Sequence, residues 1–188
     1  MAMPAMQREW TVDMLDALED DGQRYEIIDG ELFVTPSPID LHQFVVGELH
    51  ARLREYLKGR GLGKPVVSPS DVRRGDVKRN RVQPDVYVVR LDDGNRPPYP
   101  YDLRDLLLAV EVVSPDSVRL DYTIKRELYL REGVGEYWVI DPIARHVSRW
   151  KERGDTGAIL SERIAWFAGG VTDPFVLALP AFFDDAFA

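Results

Sequence analysis

Apolar residues are spaced in three different ways along this chain. Between positions 106 and 113, LLLAVEVV is an almost unbroken apolar run, rich in branched residues and closed by Ser114-Pro115. It predicts a strand buried on both faces, inside a sheet. Between 40 and 61, Leu41, Phe44, Val45, Leu49, Leu53, Tyr56 and Leu57 recur at helical spacing. They predict a long amphipathic helix capped by Asp40 and ended by Gly59 and Gly61. In RYEIIDGELFVTP, short apolar runs flank Asp29-Gly30, the signal of a two-residue hairpin turn.

Weaker signals fill in the order. TVDMLDALED predicts a short helix with Thr11 as its cap, and Pro36 and Pro38 are expected to break regular structure. KPVVSPS and VQPDVYVV predict strands, with a polar, basic loop, RRGDVKRNR, between them. DDGNRPPYPYDLRD predicts an exposed, mobile loop. LDYTIKRELYLREGVG predicts a helix closed by Gly133, and YWVID and HVSRW a strand pair around Asp141-Pro142. Beyond residue 150 further β structure is expected, with FVLAL as one strand. The expected architecture is one mixed α/β (α+β) domain over residues 1–188, with its core at 20–150 and a β-rich C-terminal extension at 151–188.

Composition narrows the class. The chain has 188 residues and no cysteine, so neither a disulfide framework nor thiolate chemistry is available. The start, MAMPAMQREW, lacks an apolar signal core, and no apolar run is long enough to span a bilayer. A soluble, cytoplasmic protein without membrane contact is expected. The net charge is −8, which taken alone argues against a nucleic-acid partner. The charge is uneven, however: residues 51–81 carry +7, leaving −15 elsewhere. Arg52, Arg73, Arg74, Lys78, Arg79 and Arg81 in that segment are candidate phosphate contacts. A solvated helix and loop explain the same charges without any ligand.

One residue in the apolar run demands a reason. Glu111 is a carboxylate in a strand predicted to be buried, where desolvation is costly. Asp85 opens a second apolar strand, PDVYVV. If the two strands are neighbours, both acids project to one side of the sheet. Two such carboxylates, a backbone carbonyl near Val113 and several waters are what Mg²⁺ accepts, with Mn²⁺ as a substitute. Lys125 lies on the following helix, in a flank with Asp121 and Tyr129. Near the acids its amine would steady the negative charge on a phosphate, and Asp, Glu and Lys around Mg²⁺ describe phosphodiester hydrolysis. On the long helix, His42 and Arg52 fall within the apolar stripe and Glu48 at its edge. Each residue also has a plain structural explanation: a strand-starting turn for Asp85, a core ion pair for Glu111, a surface pair for Lys125.

Four blocks carry a family resemblance: YEIIDGELFVTPSPIDLHQ, VQPDVYVV, LAVEVVSPDS and DYTIKRELYLREGVGEYWVIDP. In order and spacing, over about residues 20–150, they resemble the Uma-two family of restriction-endonuclease-like proteins in the PD-(D/E)XK nuclease superfamily. The resemblance implies a core sheet of mostly four strands flanked by helices, with added hairpins, and Mg²⁺-dependent cleavage of DNA. It makes Asp85 the acid of the PD element and Glu111 the second acid. The superfamily's usual lysine two residues after that acid is replaced by Val113, and Lys125 takes its place on the next helix. Glu31 and His42 match recurrent family positions without an assigned role. Arg119 and Arg126 are further candidates to guide a DNA backbone. A homodimer is also expected, with Trp138, Trp150, Trp166, Phe182 and Phe183 available to an interface. The competing reading is a non-catalytic nucleic-acid-binding or assembly module that kept the fold. A weaker one is hydrolysis of RNA or another phosphodiester.

Overall fold

The computed structural model describes residues 9–19, 21–35, 40–75 and 77–188. Thr11 caps α1 (Val12–Asp16), its side chain accepting the Met14 N–H at 3.4 Å. β1 (Arg24–Ile28) and β2 (Glu31–Thr35) form the hairpin. Asp29 and Gly30 take φ of 52° and 83°, the left-handed pair that such a turn requires. α2 (Asp40–Leu57) starts at Asp40; the breaks expected at Pro36 and Pro38 lie outside the described residues.

Strands β3 (Gly63–Val67), β4 (Val72–Arg74), β5 (Val77–Val82), β6 (Val86–Arg90), β7 (Tyr101–Asp102) and β8 (Leu106–Val112) follow. A wide π-type turn, Leu120–Lys125, runs into α3 (Arg126–Arg131). The chain ends with β9 (Tyr137–Asp141), β10 (His146–Trp150), β11 (Ala158–Leu160), β12 (Arg163–Trp166), β13 (Phe175–Ala178) and α4 (Leu179–Phe187).

The central sheet has six strands in the order β11-β10-β9-β8-β6-β3. All seven residues of β8 are buried, and it lies antiparallel to β6 and parallel to β9. A five-stranded sheet, β2-β1-β5-β4-β7, packs beside it, and β12 and β13 pair on their own. The fold is mixed α/β with helices against the sheets, larger than the four-stranded core implied by the resemblance.

Residues 92–105, expected to be an exposed loop, include β7 and a following turn with Tyr101 and Leu103 buried, and two further segments differ from the sequence expectation. The basic segment at 73–81 is a β4–β5 hairpin rather than a loop. Val72, Asn80 and Val82 are buried along it, a strand alternation that the surrounding cations hide. The extension after residue 150 is β-rich only as far as Ala178 and then turns into α4. Leu179, Phe182, Phe183 and Ala186 recur there at helical spacing and are buried, with Pro180 in the first turn.

The six-stranded sheet is packed on both faces. α2, α4, β12 and β13 cover one face, with Leu49, Leu53, Trp138, Trp166, Phe182 and Phe183 in a single apolar cluster. On the other, Tyr87, Ala109, Tyr129, Tyr137 and Trp150 pack with residues of the five-stranded sheet. The five aromatics expected at a dimer interface are therefore core residues of one chain. Among the described residues no helix is long and apolar enough to cross a membrane.

Candidate active site

Strand parity decides which side chains share the second face. Val86 pairs with Val110, which sets Asp85 opposite Glu111 at the end of the β6–β8 ladder. Both follow the parity of Tyr87 and Ala109, so both point away from α2 and towards β1 and α3. Asp85 is 5% exposed and Glu111 1%.

Asp85 is held from three directions. Its Oδ1 accepts from Arg24 Nη1 at 2.8 Å. Its Oδ2 accepts the Val112 N–H at 2.8 Å and lies 3.0 Å from His42 Nε2. Burial opposes ionisation of Asp85, but the His42 hydrogen bond, with the charges of Arg24 and Lys125, outweighs it and holds the pKa well below the ordinary range. Asp85 is thus a buried carboxylate kept ionised.

Glu111 sits differently. Its Oε1 accepts from Tyr129 Oη at 2.8 Å and from Lys125 Nζ at 3.1 Å. Its Oε2 faces Arg24 Nη2 at 3.9 Å. Burial raises its pKa well above the usual value; Lys125 opposes the rise, while Asp85, Asp121 and Glu26 add to it. The Lys125 ammonium is 2.9 Å from Glu26 Oε2 and 3.9 Å from Asp121 Oδ1. Burial disfavours its charge, but Glu111 and Glu26 overcome that and raise its pKa, so it stays protonated.

The wide turn at Leu120–Lys125 places Lys125 and Tyr129 on one side of the helix, facing the sheet. Insertions of this kind recur where a helix must aim side chains at a site. The Asp121 carbonyl accepts from Tyr137 Oη at 2.9 Å, which anchors the turn to β9. Arg131 grips the Asp29 carboxylate at 2.8 and 3.0 Å and so ties α3 to the β1–β2 hairpin. That clamp fixes the strand that carries Arg24 and Glu26.

These two residues escaped the sequence reading. Arg24 and Glu26 are two apart on β1 and share its inward face. Glu26 is fully buried; its Oε1 accepts the Gln83 N–H at 2.7 Å, just before Asp85. The visible signal was the alternation Arg-x-Glu in RYEII, masked by the apolar residues that mark the hairpin.

The profile of the Uma2 family, described as "Putative restriction endonuclease", matches residues 12–173. The chain belongs to this family. Its fold is shared with the crystal structure of a "putative nuclease belonging to DUF820" from Anabaena variabilis, with a TM-score of 0.73 at 20% identity. That match covers 94% of this chain and 99% of the other. No curated protein sequence matches the chain.

The Uma2 resemblance implies a divalent metal, and the cluster fits one by charge and by donor chemistry. Glu26, Asp85, Glu111 and Asp121 are four buried acids facing two permanent cations, Arg24 and Lys125. Glu26 Oε2 is buried with no hydrogen-bond donor, its contact with Lys125 being one of charge alone. No three His, Asp or Glu side chains among the described residues form a ready cage. Two carboxylates completed by backbone and water nevertheless suit Mg²⁺, which retains much of its hydration.

The remaining candidates lie in different places. Val113 donates its N–H to Ile140 O at 2.9 Å, and its side chain packs in the core beside the site. Glu31 is exposed on β2. Glu48 pairs with Arg52 at 2.6 Å, and Arg52 also pairs with Asp185 of α4. Arg73 contacts Asp16 and Asp71, Arg74 contacts Glu132, and Lys78 contacts Asp13. Arg79 pairs with Glu9, and Arg81 with Asp16 and Asp71. The basic segment is thus neutralised by acids from α1 and neighbouring loops, and a phosphate there must compete with them. Arg119 is exposed beside the π turn, and Arg126 lies over the Trp150 ring at 5.5 Å.

Proposed function

We propose that this Uma2 protein is a Mg²⁺-dependent endonuclease that hydrolyses DNA phosphodiester bonds, with Asp85, Glu111 and Lys125 as its reactive set. The observation that carries this reading is a buried Asp–Glu pair on adjacent strands, with a buried lysine bonded to the Glu and more acid than the cluster's own cations balance.

Asp85 and Glu111 would hold Mg²⁺, with the Val113 carbonyl and water completing its shell. When bound, the ion supplies Lewis-acid polarisation of a phosphoryl oxygen and an acidified water. Lys125 stays an ammonium, so it does not serve as the base; it stabilises negative charge developing on the phosphate. Glu26 and Asp121 hold that amine beside Glu111, Tyr129 fixes Glu111, and His42 with the Val112 amide fixes Asp85. Arg119 and Arg126 border the turn that carries Lys125 and would meet the DNA backbone, giving binding that weakens as salt rises.

Incubation with plasmid DNA and Mg²⁺ or Mn²⁺, beside Asp85→Ala, tests the proposal. The expected result is metal-dependent nicking that falls on the order of 10²-fold or more in the variant. Equal cleavage by both proteins, or none with any nucleic acid or metal, would instead favour a binding module that kept the fold.

A further inference from the structure

The site contains a cation of its own at the place where a metal would be needed. Of the four oxygens on Asp85 and Glu111, two are committed elsewhere. Asp85 Oδ2 is taken by the Val112 amide and His42, and Glu111 Oε1 by Lys125 and Tyr129. The other two, Asp85 Oδ1 and Glu111 Oε2, both face the Arg24 guanidinium, at 2.8 and 3.9 Å. Glu26 Oε1 is also 3.8 Å from Arg24 Nη2. Arg24 therefore stands among three carboxylates, and it reaches them from β1, a separate sheet from the one that holds the acids.

Its bonding there is incomplete. Arg24 Nε and Nη2 are buried and have no hydrogen-bond partner. A guanidinium in a dedicated structural ion pair normally uses its fork on a carboxylate in two parallel bonds. Here only Nη1 is bonded, and the other contacts are of charge alone. The side chain is 19% exposed, against 0–5% for the three acids it faces, so it lies at the solvent side of the cluster.

We propose that Arg24 is a resident counter-cation that a divalent metal displaces from between Asp85 and Glu111, and that the freed guanidinium then faces the anionic substrate. This rests on the metal-dependent reading above and adds a regulatory element to that site. Without metal, Arg24 offsets the negative charge of the acids. With metal, the same charge is released at the mouth of the site, where its unused donors match a phosphate. Metal loading and substrate binding are thereby coupled through one side chain.

Calorimetric titration with Mn²⁺ tests this without recourse to activity. Arg24→Gln removes the competing charge and is expected to bind Mn²⁺ on the order of tenfold more tightly than the unaltered protein. Arg24→Lys, which restores a cation, is expected to bind less tightly than Arg24→Gln. In the unaltered protein, the ¹⁵Nε signal of Arg24, assigned by its loss in Arg24→Lys, should shift on Mg²⁺ addition with the calorimetric midpoint. That signal keeps the proposal testable if Arg24→Gln does not fold. Metal binding that is unchanged or weaker in Arg24→Gln, or an Arg24 signal indifferent to Mg²⁺, would overturn the displacement while leaving the nuclease reading intact. No metal binding by any of the three proteins would remove both.

Discussion

The two faces of the six-stranded sheet solve the same packing problem in opposite ways. Under α2 and α4, the face is closed by Leu49, Leu53, Trp138, Phe182 and Phe183, with the buried Glu136 accepting from Trp138 Nε1 at 3.0 Å. Under α3 and β1, a similar aromatic layer surrounds four acids, an arginine and a lysine. The first face gains stability simply from apolar area removed from water. The second must balance desolvation against pairing, and replacing such a network by apolar residues is often stabilising. An acid-rich cluster kept beside an ordinary core points to chemistry rather than to stability.

Substitutions on the two faces sharpen this contrast. The largest effect is expected for Lys125→Ala, which leaves Glu26, Glu111 and Asp121 without their shared ammonium. Denaturant unfolding should show a loss of about 3–5 kcal/mol, together with loss of cleavage. On the opposite face, Leu49→Ala should cost a comparable or smaller amount, about 2–5 kcal/mol, while leaving Mn²⁺ affinity unchanged. If it altered metal binding as strongly as Lys125→Ala, the division between the faces would fail.

Asp121→Asn should act in the other direction. Burial first, and the neighbouring acids after it, raise the Asp121 pKa from 3.8 to about 6 despite Lys125. The folded state therefore holds a proton that the unfolded chain has released, and stability falls as pH rises from about 4 to 6. The asparagine variant should lack this slope and gain up to about 3 kcal/mol relative to the parent at pH 7. Parallel stability–pH curves for the two proteins would contradict it. The smallest effect belongs to the exposed Lys78–Asp13 pair, where Lys78→Ala should change stability by less than about 1 kcal/mol.

The apolar face was largely legible in the sequence, because helical spacing in α2 and the continuous run in β8 are local signals. α4 was less so, since FVLALPAFF reads as a strand until Pro180 is recognised as a first-turn residue. Within the charged face, Asp85, Glu111 and Lys125 were visible as anomalies against apolar surroundings. Arg24 and Glu26 were not, because their significance depends on β1 meeting the Gln83–Asp85 connection more than fifty residues later. No local period encodes that contact. The basic stretch failed as a signal for the converse reason: its neutralising partners Asp13, Asp16 and Glu132 are far away in the chain.

The most direct measurement is a crystal structure of the protein soaked in Mn²⁺, with anomalous scattering used to locate the metal. The expected result is a single strong peak between Asp85 Oδ1 and Glu111 Oε2, with Lys125 still bonded to Glu111. A peak elsewhere on the molecule, or none there at millimolar Mn²⁺, would contradict the claim that these two carboxylates form a metal-dependent hydrolytic centre.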